Sequence, residues 1–123
     1  MFSDNISGSK GGSIGAINSA FVELSNVTVK NGNSDSGGAA YADDSAVLLI
    51  SESVFFNNTA SSRAGGFHCA GMANITLHKS VVNDNQATSG PGGAFVIQDS
   101  ASLVLLEGEF KVTDSLLVPE TPI

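Results

Sequence analysis

Four Gly-Gly pairs punctuate the chain at near-constant spacing. They fall at Gly11-Gly12, Gly37-Gly38, Gly65-Gly66 and Gly92-Gly93, separated by 26, 28 and 27 residues. A period of roughly 20–50 residues is the signature of a repeat architecture, whose units bury their apolar faces only by stacking on one another. Few chains with this pattern can fold as anything but a solenoid or an array.

Other positions recur in phase with the glycines. After each pair comes a stretch of small or apolar residues, for example Ala39-Ala40-Tyr41-Ala42 and Ala94-Phe95-Val96-Ile97. A period-2 run follows, and its alternation predicts one inward face bearing Val22/Leu24, Leu48/Ile50, Ile75/Leu77 and Val104/Leu106. Five residues beyond the second member stands Val29, Phe55 or Val82. Phe110 takes that place in the last repeat, after a one-residue deletion. Three residues further stand Asn58 and Asn85, with Gly32 and Thr113 substituting in the other two repeats. Phe2-Ser3-Asp4-Asn5 matches Phe55-Phe56-Asn57-Asn58, so the chain reads as starting at the end of a coil and as a cut from a longer array.

Each repeat holds three short β-suited runs and no helical period. A single such coil has unpaired edges on every strand. Stacking at about 4.8 Å pairs those edges and aligns the apolar positions into ladders. The expectation is an all-β, right-handed parallel β-helix of about four coils of 26–28 residues, triangular in section. It would occupy residues 1–115, with 116–123 as a tail, cap or linker. Gly-Gly supplies the positive φ of a tight corner. Asn58 and Asn85 suit a left-handed turn, or a stack of amides along the axis, and the residue types leave both open. Only 14% of residues are charged, against about a quarter in an average protein, which favours stacking because like charges would otherwise repeat on every coil.

The same residues exclude several functions. A net charge of −7, with Lys10, Lys30, Arg63, Lys79 and Lys111 scattered, leaves no positive stripe for nucleic acid. Cys69 stands alone, with no disulfide partner and no CxxC metal motif, and reads as a small core thiol. His68 and His78 lie in different parts of one coil and make no metal pair. The residues after Gly-Gly lack the Asp that a calcium-binding β-roll requires. No cofactor, metal or catalytic residue is therefore nominated. No apolar run approaches the roughly 20 residues of a membrane helix, and Met1-Phe2-Ser3-Asp4 is no signal peptide.

Two signatures, Gly-Gly-Ala and Phe-x-x-Asn, are carried by Gly37-Gly38-Ala39, Gly92-Gly93-Ala94, Phe2-Ser3-Asp4-Asn5 and Phe55-Phe56-Asn57-Asn58. In phase over most of the chain, they resemble the repeats of chlamydial-type polymorphic outer-membrane proteins. That resemblance implies a β-helical autotransporter passenger, displayed at the cell surface or released, acting in adhesion. Val29 and Val82 depart from its Phe, and Gly32 and Thr113 from its Asn.

Three functional expectations follow. The first is a surface or secreted solenoid that binds a protein or glycan, or packs against neighbouring coils of a longer array, through Val47/Leu49 and Leu103/Leu105 on the outward side. The second is a fragment of a pectate-lyase-like polysaccharide-active enzyme. Its candidate carboxylates are Asp44 and Asp99, at one offset two coils apart, with Met72 and Asn18 at that offset in the other coils. Asp43-Asp44 as a solvated turn is the plainer reading. The third concerns modification: Asn5-Ile6-Ser7, Asn26-Val27-Thr28, Asn57-Asn58-Thr59 and Asn74-Ile75-Thr76 are N-glycosylation sequons.

Overall fold

A computed structural model describes residues 1–90 and 93–110. The described residues form an all-β parallel solenoid of about four turns, with no helix and hence none long enough to cross a membrane. Four sheets run along its axis. The first stacks Ile14–Ala16, Ala40–Ala42, Phe67–Cys69 and Phe95–Ile97. The second stacks Phe21–Ser25, Val47–Ser51, Asn74–His78 and Ser102–Leu106. The third holds Phe2–Ser3, Thr28–Lys30, Val54–Phe56, Val81–Asn83 and Glu109–Phe110, and the fourth Asn33–Ser36, Thr59–Arg63 and Gln86–Ala87. Every pairing is parallel and joins a strand to its counterpart one coil away.

A triangular coil of three strands is thus corrected to four strands per coil. The fourth sheet escapes a hydrophobicity reading because its inward side chains are Ser34, Ala60 and Ala87, all buried but small or polar. The expected tail and Thr113 lie outside the described residues.

Strand register corrects the repeat in two places. Ile14, Ala40, Phe67 and Phe95 align, so Gly12, Gly38, Gly65 and Gly93 share one position. In the third coil Ala64, not Gly65, therefore occupies the place of Gly11 and Gly37, and it takes the same left-handed φ of 57°. The true coil spacing is 26, 27 and 28 residues. In the last coil Ile75 pairs with Leu103 and Leu77 with Leu105. Leu103 and Leu105 face inward and pack against the core, while Val104 and Leu106 point out, Leu106 at 46% exposure. The inward assignment of Val104/Leu106 was a one-residue slip, which moves a whole strand to the wrong face. With Leu105 inward, Phe110 falls five residues on, as in every other coil, and the deletion disappears.

The core is a set of axial ladders. Val22, Leu48, Ile75 and Leu103 form one, Leu24, Ile50, Leu77 and Leu105 the next, and Phe2, Val29, Phe55, Val82 and Phe110 a third. On the first sheet, Ile14, Ala40, Phe67 and Phe95, with Ala16, Ala42, Cys69 and Ile97, belong to the core, which settles the face that alternation alone left open. The Phe67 and Phe95 rings stack at 5.6 Å, and Phe55 meets Phe67 edge-on at 4.7 Å. Small Ala40 on one side of Phe67 gives these rings their volume.

Candidate functional site

The asparagine positions carry two adjacent ladders with different work. Asn58 and Asn85 are fully buried. The Asn58 Nδ2 donates to Asn85 Oδ1 at 2.9 Å and to the Val29 carbonyl at 3.2 Å, and Asn58 Oδ1 accepts the Gly32 amide at 2.8 Å. Asn85 Nδ2 donates to the Phe55 carbonyl at 3.2 Å, and its Oδ1 accepts the Asn58 amide. Amide stacking is therefore what these residues do; the left-handed turn belongs to the residue before each. Asp4, Asn31, Asn57 and Asp84 all have φ between 55° and 58°. Their side chains form an outer ladder, in which Asn31 Nδ2 donates to Asp4 Oδ1 at 3.0 Å and Asn57 Nδ2 to Asn31 Oδ1 at 2.8 Å. The Asp4 carboxyl is held below its ordinary pKa by the hydrogen bonds of Ser3 and Asn31.

The candidate carboxylates Asp44 and Asp99 act as corner struts. Asn18, Asp44, Gly71 and Asp99 share one left-handed position, with φ between 59° and 64°. Asp44 Oδ2 accepts the Asn18 amide at 3.0 Å, and Asp99 Oδ2 the Gly71 amide at 3.1 Å. Met72 is not the counterpart of Asp44; Gly71 is, because the third coil begins its corner one residue earlier. Each acid thus ties its corner to the coil before it.

The outward row of the first sheet is Gly15, Tyr41, His68 and Val96. Of these, Tyr41, His68 and Val96 are buried. Lys10 Nζ sits 4.8 Å from the Tyr41 ring centroid, and the Tyr41 and His68 rings meet edge-on at 5.1 Å. Tyr41 donates to Asp43 Oδ2 at 2.5 Å. Burial, then the Asp43 hydrogen bond and nearby carboxylates, push the phenol far above its ordinary pKa. The same hydrogen bond holds Asp43 below the usual carboxylate value. Gln98 Oε1 lies 2.6 Å from His68 Nε2 and accepts from Arg63 Nη1 at 3.0 Å. Lys10, Ser36 and Arg63 occupy one position of the coil, so two of the five basic residues reach from the fourth sheet over the first. His68 points away from the core and Cys69 into it, as strand alternation requires. Burial pushes the Cys69 thiol up to about 12.

Comparison with family models, curated proteins and solved structures finds no match.

Among the described residues, the second and fourth sheets carry outward rows that are largely solvent-exposed. The outward rows of the second sheet run Phe21, Val47, Asn74, Ser102; then Glu23, Leu49, Thr76, Val104; then Ser25, Ser51, His78, Leu106. Phe21 is 63% exposed, and Val54 and Phe56 are exposed apolar side chains on the third sheet, beyond Ser51 and Glu52. Val47 and Leu49 do face outward, half-buried, and the coil above them presents Asn74, Thr76 and His78 at the same positions. The outward apolar residues of the last coil are Val104 and Leu106, not Leu103 and Leu105, and the polar third coil lies between them and Val47/Leu49. The second surface is the fourth sheet, where exposed Asn33, Asp35, Ser61, Gln86 and Thr88 face out and Asp35 accepts from Ser61 and Ser62. Both hydroxyls hold the Asp35 carboxyl below its ordinary pKa. Every change in coil length falls here. Gly12 to Gly32, Gly38 to Asn58 and Gly65 to Asn85 each span 20 positions. The remainders, Gly32 to Gly38, Asn58 to Gly65 and Asn85 to Gly93, span 6, 7 and 8.

Of the four sequons, Asn26, Asn57 and Asn74 are exposed. Asn5 is half-buried and donates to Ser13 Oγ at 3.2 Å. Asn74 points outward from its strand and accepts from Ser102 Oγ.

Proposed function

We propose that this chain is a β-solenoid binding module of a surface-displayed or secreted protein, which holds an extended protein or glycan ligand along the outward faces of its second and third sheets. One observation carries the reading: Phe21, Val104, Leu106, Val54 and Phe56 are exposed apolar side chains on faces that need no such residues for folding, with Val47 and Leu49 half-buried on the same face. A flat face of stacked rungs offers repeated contacts at about 4.8 Å, a geometry suited to a polymer or an extended strand. The resemblance of the Gly-Gly-Ala and Phe-x-x-Asn segments to polymorphic outer-membrane protein repeats supports display outside the cell and a role in adhesion.

A polysaccharide-active enzyme is the weaker reading. Asp44 and Asp99 already accept backbone amides, and each is fixed to a corner rather than facing the other across a groove. The test is a glycan and host-protein array, run beside turnover assays on acidic and neutral polysaccharides. Binding that Phe21→Ser with Leu49→Ser abolishes, with no turnover, is the expected result. Turnover of a uronate polymer that Asp44→Ala or Asp99→Ala removes would establish the enzyme instead.

A further inference from the structure

Asn31-Gly32 is the one Asn-Gly step in the chain, and both residues are held by hydrogen bonds to neighbouring coils. In an Asn-Gly pair the glycine nitrogen attacks the asparagine carboxamide carbon, unhindered because glycine has no Cβ. The new N–C bond displaces ammonia, which carries away the amide proton. Water then opens the five-membered imide to aspartate or its β-linked isomer.

Here the nucleophile is engaged. The Gly32 amide points into the interior and donates to Asn58 Oδ1 at 2.8 Å in a fully buried position. The electrophile is engaged too. Asn31 Nδ2 is bound to Asp4, its Oδ1 to Asn57, and its backbone sits in the left-handed region with φ 56°. Gly32 cannot be replaced to remove the hazard: a Cβ there would lie 2.4 Å from the Gly38 carbonyl and 2.9 Å from Asn58 Oδ1. The close approach is particular to this rung, since Asn58 and Asn85 fill the same position in the next two coils, and the neighbouring coil supplies the two asparagines that restrain the pair.

We propose that Asn31-Gly32 is a latent self-modification site, kept closed by Asn58 and Asn57 of the next coil and released when that coil is lost or loosened. The product matters for stacking. Aspartate at position 31 cannot donate to Asp4, so two carboxylates would face each other where a hydrogen bond now joins the coils. Reaction would fix the opening that permitted it.

The test follows conversion at Asn31 by peptide mapping of the full chain at mildly alkaline pH, folded and in denaturant. The folded chain is expected to react about 100-fold more slowly, one tenfold step for the buried Gly32 bond and one for the Asn31 bonds. Asn58→Ala should accelerate the folded chain about tenfold, and Asn57→Ala, which removes an exposed bond, about two- to fivefold. Leu77→Ala, a core change one coil further along the stack, is the control for general loosening. Equal rates folded and unfolded would overturn the proposal, and so would equal acceleration by Leu77→Ala and Asn58→Ala at matched stability. If Asn58→Ala does not fold at the assay temperature, Asn57→Ala decides: no acceleration over the parent overturns it.

Discussion

Leu77, Leu105 and Leu106 differ little in sequence context, and their fates under truncation test the register directly. Leu77 is fully buried between Ile50 and Leu105 in the same ladder. Leu77→Ala removes its methyl groups and leaves a cavity that the rungs above and below, fixed by backbone pairing, cannot close. The expected cost is about 3–5 kcal/mol, the upper part of the range for buried leucine. Leu105 is half-buried in the last described rung, so Leu105→Ala should cost about 1–2 kcal/mol. Leu106 is 46% exposed and pairs with His78 on the outer face, so Leu106→Ala should change stability by less than about 0.5 kcal/mol. In urea, with a dependence of about 1–3 kcal/mol per molar, the first change lowers the midpoint by 1 M or more, and the third leaves it nearly still. Equal losses for Leu106→Ala and Leu77→Ala, with Leu105→Ala neutral, would refute the register and every outward assignment built on it.

Four other outcomes are expected. Gly38→Ala places a Cβ 2.3 Å from the carbonyls of Gly65 and Thr59 and should cost about 2 kcal/mol or more in thermal unfolding, while Gly15→Ala, with open space around its Cβ, should be nearly silent. Asn85→Ala leaves the Phe55 carbonyl and both Asn58 donors short of a partner and should cost about 2–5 kcal/mol; exposed Asn57→Ala should cost under about 1 kcal/mol. Asp4, Asp35 and Asp43 have folded pKa values below their unfolded ones, so their stabilisation is present above about pH 4 and is lost as pH falls through the folded values; Asp43→Asn should flatten that acid limb in a pH series of unfolding midpoints. Cys69, its thiol pushed up to about 12, should resist a thiol reagent at pH 8 until denaturant opens the core.

The solenoid was legible because its punctuation is chemical. Paired glycines mark one corner, Asn positions another, and Leu48/Ile50 or Ile75/Leu77 show the alternation of a strand with one face buried. What was misread has specific causes. Ser34, Ala60 and Ala87 line a real interior, yet nothing in their hydropathy distinguishes them from loop residues. Ala64 takes a left-handed φ in place of glycine, so aligning coils on their Gly-Gly pairs displaced the third by one. In Leu103-Val104-Leu105-Leu106 every residue is apolar, and alternation cannot choose a face. The distance to Phe110 could have chosen, since only Leu105 keeps the five-residue interval of the other coils. The outward apolar positions were half visible: alternation picks out Val47 and Leu49, but Phe56 and Val54 require the turn between sheets. Asn58 hid its role behind a residue type equally fit for turns.

The constant arc of 20 positions and the remainder of 6, 7 or 8 divide each coil into a gauge and a slack segment. Core ladders tolerate no drift, so any gain or loss of residues survives only where inward side chains are as small as Ser34 or Ala60. A taller stack built on this plan would concentrate its diversity along a single ridge, one variable tooth per rung, while three flanks stayed alike. Recognition could then change along that ridge without altering the spacing of the column beneath it.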